Sequence, residues 1–324
     1  MKVIDMHCDT ISELMYELQK GKNYDLDNNP FHMSLNKMEQ GEYILQNFAM
    51  FVDKSKNPDV LEHCLEMIDC FYNQMDKFKD RIGVVLSYKD IEDNLNSGKL
   101  SALLTVEEGA ATGLKLSHLR NLYRLGVRMM TLTWNHENGI GYPNLRKENR
   151  PNMIDGLTPF GIELVQEMED LHMIIDVSHL SDKGFYDVLN YTTAPFTASH
   201  SNARALCNNM RNLSDDMIKQ LADRGGVIGI NYFSSFLKRD MTPEEELLSL
   251  DYIADHMEHI IRIGGHECIG LGSDFDGIPT NKGIPDCSYL PRLYDVLRMR
   301  GWKESTIEAC FYKNVLRLYK DVLR

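Results

Sequence analysis

No run of about 20 apolar residues occurs anywhere in the 324-residue chain, so no segment reads as a membrane-spanning helix. Cysteine is sparse and unpatterned: seven residues (Cys8, Cys64, Cys70, Cys207, Cys268, Cys287 and Cys310), odd in number, without a Cys-x-x-Cys pair. That usage excludes a disulfide framework and a thiolate zinc site, and it fits a reduced compartment. In such a compartment the sequons at Asn190 and Asn212 carry no glycosylation meaning. Phosphate-cradling glycine motifs are missing too, with neither G-x-G-x-x-G nor a P-loop anywhere. Lys and Arg number 35 against 48 Asp and Glu, a net charge of -13, and no basic cluster stands out. Such a chain is unsuited to nucleic acid or to an anionic membrane surface. The N-terminal stretch turns polar at Asp5, which is not the shape of a signal peptide. The expectation is a cytoplasmic protein acting on a small molecule.

What is present is alternation. Eight short apolar runs occur at Lys2–His7, Ile44–Phe51, Ala102–Val106, Arg128–Leu132, Met173–Val177, Pro195–Ala198, Val227–Asn231 and Cys268–Gly272. Each ends in polar or small residues, as parallel strands buried on both faces do. Segments of helical period lie between them. Leu61–Phe78 puts Leu61, Leu65, Ile68, Phe71, Tyr72 and Met75 on one stripe. Phe160–Leu171 follows Thr158-Pro159, an N-cap with proline at the first helical position. Asp216–Ala222, Leu247–Ile263 and Tyr289–Met299 continue the pattern, the second behind a capping box at Thr242-Pro-Glu-Glu245. Trp302–Leu323 adds helical material after the last run.

Eight β/α alternations in this length predict one α/β domain over residues 1–324, a TIM-like (β/α)₈ barrel of the metal-dependent hydrolase type. A doubly wound sheet would call for a glycine-rich turn after the first strand, where this chain has His-Cys-Asp-Thr. Gly21–Gly41 and Gly139–Gly156 read as long surface loops, and the 18 methionines as core filling.

Barrel active sites gather at the C-terminal ends of the strands, and five of the eight runs end in potential metal ligands. The first run carries His7 and Asp9, which alternation places on one face. The third ends in Glu107-Glu108, the fifth in Asp176-Val-Ser-His179, the sixth in Ser199-His200 and the eighth in Ser273-Asp-Phe-Asp276. His7, His179, His200, Asp9 and one of the two glutamates make a set for two cations bridged by the carboxylate. Two ions about 3.5–4 Å apart clamp both the attacking and the departing atoms of a hydrolysis. Against this, either glutamate suits a helix cap, and Asp274 and Asp276 suit a turn before Gly277.

The segments Asp5-Met-His-Cys-Asp9, Val106-Glu-Glu-Gly109, Asp176-Val-Ser-His179, Ser199-His-Ser201 with Arg211-Asn212 downstream, and Gly270-Leu-Gly-Ser-Asp-Phe-Asp-Gly277 run in order along the chain. Together they resemble the membrane (renal) dipeptidase family of zinc metallopeptidases, peptidase family M19. The resemblance implies a distorted barrel with two Zn²⁺ ions, His7 and Asp9 on one, His179 and His200 on the other, and Glu107 bridging them. It implies a dipeptidase working through a metal-bridging hydroxide, with dipeptides carrying a C-terminal D-residue among its substrates. Arg211 resembles the residue that binds the substrate carboxylate, and Asp274 the acid/base that protonates the leaving amine. Family members often dimerise, so a homodimer is expected, although no stripe marks the contact. One departure stands out. Where some members have a histidine after Leu-Thr, this chain has Trp134, and His136 two residues on is the candidate to reach the same substrate oxygen.

Barrels with His-x-Asp on the first strand also host deaminases, lactonases and phosphotriesterases. Several of those use a carboxylated lysine or a lone histidine where Glu107 stands, and no lysine closes the third run here. A non-catalytic binding barrel is the alternative from another class. It draws only on Trp134 and predicts no metal, where five ligands predict two zinc ions.

Overall fold

The computed structural model describes residues 1–144 and 151–324, and the part of the Gly139–Gly156 loop from 145 to 150 lies outside the described residues. Nine strands form among them: β1 Val3–Cys8, β2 Tyr43–Phe51, β3 Ile82–Val84, β4 Leu100–Glu107, β5 Met129–Thr131, β6 Ile174–Asp176, β7 Thr197–Ala198, β8 Val227–Ile230 and β9 Ile269–Leu271. All pairings are parallel. β1 lies between β2 and β9, β2 pairs with β4, and β4 to β9 follow in sequence, closing a ring of eight. The eight ring strands are the eight apolar runs read from the sequence. β3 is an addition: it pairs with Leu100–Ala102 on the edge of β4 that β5 takes over from Thr105 onward. Three residues, Ile-Gly-Val, carry too little pattern to read as a strand.

Helices fill the connections, and their starts obey capping chemistry. Thr158 accepts from Gly161 N at 3.0 Å, opening Pro159–Asp170, and Ser181 accepts from Gly184 N at 3.0 Å, opening Asp182–Tyr191. Thr242 and Glu245 exchange reciprocal bonds of 3.0 and 3.3 Å at the head of the 3₁₀ turn Glu245–Leu248, which runs into the helix Ser249–Gly264. Two apolar layers result. The larger joins the strands to the surrounding helices. The smaller gathers Ile4, Met6, Leu45, Leu103, Met129, Ile174 and Val227 against Val315, Leu318, Tyr319 and Val322 of the C-terminal helix. Tyr319 also donates to Asn47 Oδ1 at 2.8 Å there.

The Gly21–Gly41 segment differs from its expectation as a surface loop. Leu26, Met33, Leu35 and Met38 are fully buried, and Leu35–Gln40 is helical behind a Ser34 cap. The apolar residues are spaced too irregularly to announce a helix, yet burying them fastens this segment near the ligand-bearing end of β9 through His32 and Asp276. No helix among the described residues is long and apolar enough to cross a membrane.

Candidate metal centre

The ligand candidates all stand at the C-terminal ends of ring strands, and the backbone there is bent to aim them. His179 and Asp274 have φ of 68° and 64°, left-handed values that non-glycine residues adopt at a cost of about 1–2 kcal/mol. The end of β7 lies so close to its neighbours that a Cβ on Gly229 or Gly272 would meet Ser199 O at 1.9 or 1.8 Å. Only glycine on β8 and after β9 lets Ser199 and His200 sit this deep.

Glu107, the last residue of β4, is the hub. Its Oε2 lies 3.1 Å from His7 Nε2, and its Oε1 lies 3.0 Å from His179 Nε2 and 3.7 Å from His200 Nε2. His7 Nε2 in turn stands 3.5 Å from Asp9 Oδ2 and 3.8 Å from Asp274 Oδ1. Glu108 divides the work with its neighbour: at φ 98° it turns away, and its Oε1 accepts from Ala110 N at 3.0 Å and from Asn138. The cap and the site carboxylate are thus two adjacent glutamates.

Outer partners set the histidine tautomers. His179 Nδ1 donates to Asn135 Oδ1 at 3.0 Å. Ser199 Oγ donates to Asp176 Oδ2 at 2.6 Å and so must accept from His200 Nδ1 at 2.8 Å. Asp176 is itself anchored by Thr131 Oγ1 at 2.6 Å and by the backbone N–H groups of Ser178 and Ser199. With both Nδ1 atoms donating, the Nε2 lone pairs of His179 and His200 face each other at 3.0 Å. Two lone pairs at that distance repel unless a cation stands beside them, and imidazoles oriented by carboxylate or amide partners are how proteins present metal ligands.

The charges point the same way. Asp9, Glu107, His7, His179 and His200 are all buried. Burial pushes the Asp9 carboxyl up to about 7, with Glu107 and Asp274 adding repulsion. Burial likewise lifts Asp274 to about 6. It pushes against an ionised Glu107 as well, but the facing His7 and His179 outweigh it and hold Glu107 well below the usual carboxylate range. Burial also opposes a charge on His7, yet Glu107 and Asp9 overcome it and raise His7 well above the imidazole value. A proton on His7 is thus what the carboxylates attract in place of a metal cation. Ligand atoms of His7, Glu107 and His200, and of His7, Asp9 and Asp274, lie within 4.8 Å of one another. His7 Nδ1 and Nε2 and Asp9 Oδ1 have no hydrogen-bond partner among the described residues. A buried nitrogen and oxygen set with orphaned atoms fits a divalent metal.

Residues 1–324 match the family model for membrane dipeptidase, peptidase family M19. The chain belongs to this family. It is a metallodipeptidase, a hydrolase of the peptide bond in dipeptides, and its family implies a metal cofactor. An uncharacterised dipeptidase of Schizosaccharomyces pombe is 34% identical to it over 344 residues, 98% of this chain and 80% of that protein. A solved metallopeptidase from Rhodobacter sphaeroides, liganded with a phosphinate mimic of the dipeptide L-Ala-D-Ala, matches at TM-score 0.91 and 25% identity over 99% of each chain. A solved metallopeptidase called dipeptidase AC matches at 0.92 and 26%, over 100% of this chain and 99% of its own.

In this metallodipeptidase a cavity of about 260 Å³ opens onto the group. Asp9, Glu107, His179, Asp274 and Arg211 line it, with Phe51 and Trp134 on one wall and Phe233 and Phe236 on another. Arg211 is 7% exposed, its Nε has no partner among the described residues, and its guanidinium sits 5.4 Å from the Phe236 ring centroid. Burial lowers it to about 10, still a cation at neutral pH. His136 is not brought to the cavity: its Nε2 faces Asp53 Oδ1 at 3.5 Å. Trp134 lines the wall instead, edge-on to Phe51 with centroids 4.9 Å apart. Asn135, Ser199 and Asn231 are functional neighbours that sequence reasoning passed over. For Asn135 and Ser199 the one available signal was their adjacency to Trp134 and His200. A larger groove of about 600 Å³ beside the helix Ser249–Gly264 holds none of these residues.

Proposed function

We propose that the protein hydrolyses dipeptides with two zinc ions, His7 and Asp9 holding one, His179 and His200 the other, and Glu107 spanning both. The observation that supports a pair over a single ion is that the two oxygens of Glu107 face different histidines, Oε2 facing His7 and Oε1 facing His179. Histidine nitrogens and carboxylate oxygens without thiolates suit zinc. Ions held there would act as Lewis acids, acidifying a water and polarising the scissile carbonyl.

The chain's own groups do the rest. Arg211, a desolvated guanidinium with no ion pair to a carboxylate among the described residues, binds the C-terminal carboxylate of the substrate and thereby selects dipeptides of the right length. Asp274 keeps its Oδ1 toward His7. A carboxyl beside the ions and not itself committed to holding them can take a proton from the attacking water and return it to the leaving nitrogen. His136 is retained only as a rim residue that would reach substrate if its contact with Asp53 opened. The mimic bound to the Rhodobacter sphaeroides relative supports including dipeptides with a C-terminal D-residue. Seven free, buried cysteines support a cytoplasmic location.

The test is elemental analysis of protein purified without chelator, followed by a panel of dipeptides with L- and D-residues, with and without added zinc. About two zinc equivalents and zinc-dependent dipeptide cleavage are expected. One equivalent at full activity would remove the bridged pair, and cleavage of lactones or nucleobases in preference to dipeptides would remove the substrate assignment.

A further inference from the structure

Asp274 has one side-chain hydrogen-bond donor among the described residues: Asn231 Nδ2, 2.8 Å from Oδ2. Asn231 is fully buried just beyond β8, and every polar group it has is engaged. Its Oδ1 accepts from Phe233 N at 2.6 Å, so the amide cannot flip without losing both bonds. Its backbone N–H donates to Asn202 Oδ1, and its carbonyl accepts from Asn202 Nδ2, both at 2.9 Å. Asn202 is fully buried and lies two residues after His200. The ends of β7, β8 and β9 are therefore tied through two side chains, those of Asn202 and Asn231.

We propose that Asn231 is a positioning residue for the hydrolysis: it pins Oδ2 of Asp274 so that Oδ1 alone is presented to the cations and to the scissile bond. This rests on the assignment of Asp274 as the proton carrier. The choice of an amide has a chemical reason. A group that must gain and lose a proton each turnover needs one oxygen fixed and one free. An amide N–H₂ donates to the fixed oxygen without carrying a charge that would hold the carboxylate ionised, and it has no proton of its own to exchange near neutral pH. A lysine or arginine there would fix the carboxylate equally well and suppress its basicity.

The experiment compares Asn231→Asp, Asn231→Ala, Asp274→Asn and the double variant Asn231→Ala with Asp274→Asn, each loaded with zinc. Asn231→Asp preserves size and the acceptor for Phe233 N but sets a second carboxyl against Asp274 Oδ2, whereas Asn231→Ala removes the donor without adding a charge. Expected for both Asn231 variants is a fall in kcat of roughly 10–100-fold, the loss of a bond to a charged group. KM and zinc content should stay near wild type. The double variant should be no slower than Asp274→Asn alone, because a residue that acts through another adds nothing once that partner is gone. Turnover within twofold of wild type in Asn231→Ala would overturn the inference. So would a further 10-fold or greater loss in the double variant, or a kcat loss matched by lost zinc. If Asp274→Asn itself kept full turnover, the proton-carrier assignment would fall first, and the two failures can be told apart.

Discussion

Asp9 and Glu107 show how one small volume sends two carboxylates in opposite directions. Burial lifts Asp9 toward neutrality, while the facing imidazoles keep Glu107 ionised against the same burial. Glu107 is also the carboxylate that faces three histidines at once. Glu107→Gln keeps the shape and removes the charge, so zinc content should drop from about two equivalents to one or none; retention of both ions would show that the histidines suffice. Asp274→Asn should cut kcat by roughly 10²–10⁴-fold while zinc content stays intact, and turnover near wild type would exclude it as the acid/base. Arg211→Ala should raise KM for dipeptides with a free carboxylate roughly 10–100-fold, the worth of a hydrogen bond to a charged group. The same change should leave substrates with an amidated C-terminus unaffected; equal losses on both would point to a general collapse of the cavity.

Among the elements, the strands were legible and the loops were not. Buried parallel strands announce themselves as apolar runs, so all eight ring strands could be read off, and His7, Asp9, Glu107, His179 and His200 stand where those runs turn polar. Side-chain direction in the connections follows no period. That is why Asn135 and Asn231 went unread, why His136 ends against Asp53, and why Gly21–Gly41 hid a short helix. The helix Ser249–Gly264 supplies another unread brace. His256, 1% exposed, accepts from Ala203 N at 3.1 Å through Nδ1 and donates from Nε2 to Leu237 O at 2.9 Å. It thus joins the loops that carry Arg211 and Phe236. Burial holds His256 below the ordinary imidazole value of 6.5, so the folded form keeps it neutral while the unfolded chain takes up the proton. Its contribution is present above about pH 6.5 and is lost as pH falls below that value. Glutamine can replace both bonds without titrating. The thermal midpoint of His256→Gln should therefore fall less between pH 7 and pH 5 than that of wild type, each scanned by calorimetry. Parallel slopes would acquit His256.

On the scale of the whole molecule, composition and alternation made the barrel readable, because covering both faces of a parallel sheet leaves few other architectures. The chemistry was readable only through five distant segments taken together, since no one of them is specific. The same convergence ties stability to cofactor. Buried carboxylates and imidazoles with orphaned atoms oppose folding until a cation joins them. A ligand at about 100 times its Kd adds ~2.7 kcal/mol. Chelation should therefore lower the thermal midpoint and abolish dipeptide cleavage together, and zinc should restore both; a midpoint indifferent to chelator would mean that the site folds without its ions.

The pairing of β1 with β9 has a consequence for biosynthesis. The pocket draws on residue 7 at one extreme and residue 274 at the other, and the two become neighbours only when the ring shuts. A nascent chain halted on the ribosome before β9 emerges would carry all five candidate ligands but lack Asp274 beside His7. The candidate proton carrier is therefore the last of the site's groups to be made, whatever order the helices adopt on the way.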